Sequence, residues 1–108
     1  MNIEEYRQDL NIFFSRLLFL YYADDAEIFE KNLFLESITN FTEKDGSNLG
    51  EFFSKLFDVL NSENRKDIPH YFSKFPYVNG SIFKNKIKLP NFTNKTRDLI
   101  VGNASLDW

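Results

Sequence analysis

The chain has 108 residues, 43% of them apolar and 18% aromatic, with 13 Phe and no Cys. A chain of this length buries roughly two-thirds of the surface it exposes unfolded, so it forms one core in one domain at most, and disorder, disulfide frameworks, thiolate metal sites and cysteine nucleophiles are all excluded. The net charge of −3 and pI near 5.1 do not suit a domain that mainly grips phosphates, yet residues 1–54 carry 4 basic and 11 acidic side chains against 9 and 5 in residues 55–108, so any nucleic-acid contact belongs to the second half.

No apolar run approaches the roughly 18 residues a bilayer span needs, and the acidic start Met1-Asn2-Ile3-Glu4-Glu5 is unlike a signal peptide. The expectation is a soluble, cytoplasmic chain with no membrane partner. From the N-terminus, Ile3, Tyr6, Leu10, Phe13, Leu17 and Tyr21 recur at steps of three and four, with Phe14 and Leu18 widening the stripe. This predicts a helix of about 20 residues. Asp24 and Asp25 sit where negative charge opposes the helix dipole, so the helix is expected to end or be recast there. Leu33, Phe34, Ile38 and Phe41 predict a second helix, followed by a polar run to Gly46, a residue free to take positive φ. A third helix follows, with Ser47 or Asn48 as cap and Leu49, Phe52, Phe53, Leu56, Phe57 and Leu60 as its apolar stripe. Phe52, Phe53, Leu56 and Phe57 are the expected heart of the core.

Beyond Asn61 the pattern turns irregular, punctuated by Pro69, Pro76, Gly80 and Pro90. Asn79-Gly80, between Tyr77-Val78 and Ser81-Ile82-Phe83, signals a short hairpin or a tight loop. Thr93 is positioned to cap a last short helix through Arg97, Leu99, Ile100 and Val101, ended by Gly102. The fold class is therefore mainly α: a small helical bundle whose irregular C-terminal third has room for a hairpin.

Candidate chemistry is sparse. His70 is the only histidine and has no Ser, Asp or Cys at triad spacing. The cluster Asp24, Asp25, Glu27 and Glu30 lacks the alternating oxygen ligands and central glycine of a calcium loop, and reads as a solvated helix end. A metal-dependent nuclease of the common restriction type needs Asp or Glu, any residue, then Lys, so that carboxylates hold the metal while the Lys orients water; that triplet occurs nowhere here. The four glycines never stand two apart, so the glycine-rich turn that approaches a methyl donor is missing too. Phe75-Pro76-Tyr77 resembles part of an adenine methyltransferase loop, in which a polar residue and two prolines precede an aromatic that stacks on the flipped base. Here Phe75 replaces the first proline and Lys74 the polar residue. Lys84, Lys86 and Lys88 alternate, which in an extended segment puts three ammonium groups on one side. They are candidate DNA-phosphate contacts, although an edge segment protected by Lys against aggregation has the same pattern.

Four segments in order carry a resemblance: "FFSRLLFLYYADDAEIFE" (Phe13 to Glu30), "DGSNLGEFFSKLFDVLN" (Asp45 to Asn61), "FPYVNGSIF" (Phe75 to Phe83) with "LPNF" (Leu89 to Phe92), and "LDW" (Leu106 to Trp108). Together they resemble the helical spacer of type IIG, MmeI-like, single-chain restriction-modification enzymes, and the match covers nearly the whole chain from Phe13. The resemblance implies a multidomain parent with an N-terminal nuclease, this connector, an N6-adenine methyltransferase using S-adenosylmethionine, and a target-recognition domain. Residues 1–108 are then one spacer domain, its partners the methyltransferase and nuclease domains of the same chain, and DNA through the parent. No catalytic, cofactor or metal residue maps onto this chain; S-adenosylmethionine and a divalent metal are expected only of the parent. The stop at Asp107-Trp108 reads as a cut at the methyltransferase border. Two other readings stay open: an auxiliary DNA-backbone-binding module, and the N-terminal region of a standalone methyltransferase subunit beginning at Met1. One departure from the family is Ala26-Glu27, where Thr-Gly is more usual; a changed turn is expected there.

Overall fold

The computed structural model describes residues 3–78 and 80–106. Four helices, α1 (Ile3–Asp25), α2 (Leu33–Phe41), α3 (Leu49–Leu60) and α4 (Asn94–Ala104), are joined by loops, with one 3-10 turn at His70–Phe72. Among the described residues no strand forms.

The expected first helix is present, but its buried side differs from the predicted stripe. Phe13, Arg16, Leu17, Leu20, Tyr21, Ala23 and Asp24 are buried, whereas Phe14 and Leu18 are 53% and 52% exposed. The reason is packing. The Phe13 ring meets Phe53 edge-on at 5.1 Å and Phe57 at 6.3 Å, and one core covers one arc of a helix, so apolar residues beyond that arc stay outside.

At the end of α1, Ile28 N donates to Ala23 O at 3.1 Å and Glu27 takes a left-handed φ of 60°, the features of a helix closed by a left-handed residue just past its end. Asp24 is not on a solvated helix end, as expected, but buried. Its carboxylate accepts the backbone N–H of Phe34 at 2.9 Å and of Leu35 at 3.0 Å. These are two of the N–H groups that the start of α2 leaves without intrahelical partners. Asn32, just before α2, makes no side-chain cap, so Asp24 does this from the preceding helix. Burial raises the Asp24 carboxyl pKa above its ordinary value, opposed by the two N–H donors and assisted by the charges of Asp25 and Glu36.

α3 buries Phe52, Phe53, Leu56 and Phe57 as expected. Neither predicted cap acts as one. Asn48 instead accepts Glu43 N at 2.7 Å and donates to Phe41 O at 3.1 Å, tying the end of α2 to the loop, and Ser47 donates its N–H to Asp45 Oδ1. Gly46 has the expected positive φ, 79°, and a Cβ there would lie 2.8 Å from Thr93 O. Thr93 caps α4 by accepting Thr96 N at 3.2 Å. The helix passes through Gly102 to Ala104 and does not end at the glycine, because glycine stops a helix only where the next turn takes positive φ; here Ser105 N closes onto Gly102 O in right-handed conformation.

In the irregular third, Tyr77-Val78 and Ser81-Ile82-Phe83 do not pair as strands. Val78 N donates to Leu60 O at 2.8 Å, and Lys84 N to Ser81 O at 3.2 Å, so helix-end and turn carbonyls take the bonds that a hairpin ladder would have used. Asn79 of the expected turn lies outside the described residues, as do Asp107 and Trp108; Gly80 has a φ of 124°. Phe75 is fully buried, its ring 5.2 Å from Phe29 and 5.9 Å from Phe72, which anchors the irregular segment Phe75–Val78 on the core. The radius of gyration, 13.5 Å, is close to the roughly 13 Å of a compact domain of this length, so the irregular third is folded back on the helices.

Candidate functional site

Three arginines hold that third in place, each by donating to backbone carbonyls. Arg16, 2% exposed, lies in step with Phe13, Leu17 and Leu20 on α1. Its Nε donates to Ile82 O at 2.7 Å and its Nη2 to Asn85 O at 2.6 Å. The guanidinium also stands 4.9 Å from the Phe57 ring centre and 5.6 Å from that of Phe83, within cation–π range. Burial lowers its pKa below the ordinary arginine value, partly offset by Asp9; the carbonyls supply the acceptors that water would otherwise provide. Arg65 donates to Val59 O and Ser62 O at the end of α3, and to Phe75 O. Arg97, buried on α4, donates to Thr42 Oγ1 at 2.9 Å and to the carbonyls of Thr39 and Thr42. The last two clamps place positive charge at the C-terminal ends of α3 and α2, where the helix dipole favours it.

Lys84, Lys86 and Lys88, the candidate phosphate contacts, are all exposed. The segment that bears them is fastened at several points. Arg16 holds Ile82 and Asn85, Lys88 N donates to Asp9 Oδ2 at 2.9 Å, and Lys86 Nζ reaches Asp58 at 3.4 Å. His70 is exposed at the start of the 3-10 turn. Among the described residues no group of three His, Asp or Glu side chains is placed to hold a metal ion, and no helix is long and apolar enough to cross a membrane.

A groove of about 460 Å³ lies between α1, α4 and Pro90–Phe92, with Leu10, Phe14, Leu18 and Leu99 among its lining residues. The sequence pattern put Phe14 and Leu18 on the broad apolar stripe of α1; they lie outside the core and form one wall of this groove. Arg16 and Asp24 were missed for the opposite reason, since charged side chains normally stay outside a core. The signal available for Arg16 is its position, in register with the apolar stripe.

The model of the family described as "MmeI, helicase spacer domain" matches residues 8–83. The chain is 44% identical over 108 residues to "DNA methyltransferase A" of Bacillus subtilis (strain 168), covering 99% of this chain and 12% of that protein. Among solved structures it is similar to the Type IIL restriction-modification enzyme MmeI in complex with DNA, with 37% identity and a TM-score of 0.87 over 93% of this chain and 14% of that one. The chain thus spans a small part of the relatives it matches.

Proposed function

Because the chain belongs to the MmeI helicase spacer domain family, we propose that it is a non-catalytic helical connector of a restriction-modification DNA methyltransferase acting on cytoplasmic DNA. Residues 1–108 form one spacer unit that holds a methyltransferase domain and, in a fused parent, a nuclease domain at fixed separation. S-adenosylmethionine and the divalent metal then belong to those other domains. The observation that carries this reading is the recurrence of the same fold as a small share of a much larger DNA-bound restriction-modification enzyme. The carbonyl clamps support it physically. A spacer fixes a distance only if it is stiff; Arg16 and Arg65 fasten loops that no regular ladder holds, and Arg97 ties α4 to the end of α2.

Two measurements test it. The purified chain, incubated with duplex DNA, labelled S-adenosylmethionine and Mg²⁺, should neither methylate nor cleave; either activity would refute the reading. In the intact parent polypeptide, Arg16→Ala should spread the cleavage positions while leaving the recognised sequence unchanged, and a sharp, unmoved cleavage position would count against a spacer that works by rigidity.

A second reading is an auxiliary DNA-backbone contact, favoured by the pinned presentation of Lys84, Lys86 and Lys88. Phosphate binding must weaken as salt rises, because counterions are released. Titration against duplex DNA at two salt concentrations decides. Affinity that is negligible at low salt, or that is indifferent to salt, removes this reading.

A further inference from the structure

We propose that the groove between α1 and α4 is the seat of an apolar, uncharged segment from the adjoining domain of the parent polypeptide. The main argument is charge. From Leu10 to Ala23 the only charged residue of α1 is Arg16, and Arg16 is buried. Those 14 residues, about 21 Å of helix, therefore show no charge to the outside. A helix face meant for water carries charged side chains; this one shows Phe14, Leu18 and Tyr22, 53%, 52% and 52% exposed, at successive steps of four. Across the groove stands Leu99 of α4, 67% exposed, and none of the residues lining the groove is charged. Depletion of charge around exposed aromatics is the composition of an interface centre, and a cleft between two helices accepts the apolar face of a third.

The competing surface, between Phe41 and Tyr71, is bordered by the Lys55–Glu51 ion pair and suits water. A second copy of this chain is the other occupant the α1–α4 groove would fit. It is at a disadvantage wherever the unit is one part of a long polypeptide, as in the relatives, because a tethered neighbour is present at an effective concentration on the order of millimolar. The identity of the occupant rests on the connector reading; the need for one rests on the groove itself.

The test is cysteine footprinting of the intact parent polypeptide, this segment being free of native cysteine. Phe14→Cys, Leu18→Cys and Leu99→Cys report on the groove, and Lys44→Cys and Glu63→Cys are exposed controls. Maleimide labelling is followed by mass spectrometry of each peptide, with circular dichroism to show that every variant is folded. The groove sites should label at least ten-fold more slowly than the controls. Equal rates would overturn the proposal, and so would protection that disappears on dilution, which marks a second copy. The two readings fail separately. Equal labelling with a spread cleavage position in Arg16→Ala sinks the groove and spares the connector, whereas a protected groove in a segment that itself methylates DNA does the reverse.

Discussion

Glu27 offers a direct measure of how well the sequence suits its fold. It sits just past the end of α1 with a φ of 60°, a conformation that costs an L-residue with a Cβ roughly 1–2 kcal/mol and costs glycine little. Glycine gives back about 0.5–1 kcal/mol through its larger unfolded-state entropy. The side chain is exposed, so truncating it loses no core packing, and Glu27→Gly should stabilise the protein by about 1 kcal/mol. For 108 residues, an unfolding entropy of about 2.1 cal/mol/K per residue turns this into a rise in Tm of about 4 °C. Removing a negative charge near Asp24 and Asp25 would also raise stability, so Glu27→Ala is the control: it removes the charge and keeps the strain. Asn tolerates left-handed backbone better than most residues. The expected order in thermal and urea denaturation is Gly, then Asn, then Ala close to the parent. An Ala variant as stable as the Gly variant would show that charge, not backbone strain, governs this turn, and an unchanged Tm in Glu27→Gly would refute the strain argument.

Gly46→Ala adds a Cβ at positive φ and 2.8 Å from Thr93 O, so it should lose roughly 2–4 kcal/mol in urea melts; a loss under about 0.5 kcal/mol would contradict the close approach of this loop to α4. Arg16→Lys keeps the charge but cannot reach both Ile82 O and Asn85 O with one planar fork, and should cost roughly 1–3 kcal/mol. Amide exchange should speed up at Lys84 and Lys88 before it does in α3; uniform loss of protection would show that Arg16 stabilises the whole fold and not the lysine segment. Burial lifts the Asp24 carboxyl above 3.8, so its contribution is greatest below the unfolded pKa and is lost as pH rises through the raised folded value. Asp24→Asn, which does not ionise, should therefore gain on the parent in ΔG as pH rises above the ordinary carboxyl value. A constant difference as pH rises would mean that the two N–H donors cancel desolvation, and a difference that moves the other way that they outweigh it.

Much of the fold was legible because most of it follows from periodicity and local turn chemistry. The Phe52, Phe53, Leu56 and Phe57 stripe reports a buried face, and Thr93 and Gly46 act where a hydroxyl cap and a positive φ are needed. The rest depends on partners distant in sequence, to which periodicity is blind. Nothing local says that Asp24 will receive the N–H groups of Phe34 and Leu35, or that Arg16 will cross 66 and 69 residues to find its carbonyls. The apparent hairpin failed for the same reason: Val78 N found the end of α3 closer than a partner strand.

Phe14 and Leu18 belong to the apolar stripe of α1 yet stay outside the core. An apolar stripe of α1 wide enough to include Phe13 and Leu17 as well as Phe14 and Leu18 is broader than the one core it packs against can cover, and the core took Phe13, Leu17, Leu20 and Tyr21. A helix with only one neighbour would gain nothing from apolar residues past that arc, and would lose solubility by them. The surplus width, with no exposed charge from Leu10 to Ala23, is what a helix serving two surfaces requires: one inside this fold, and one reached only when the groove with Leu99 is filled. The footprinting of Leu18→Cys and Leu99→Cys therefore bears on the sequence as well as the assembly, since full reactivity at both sites would leave the breadth of that stripe without a physical cause.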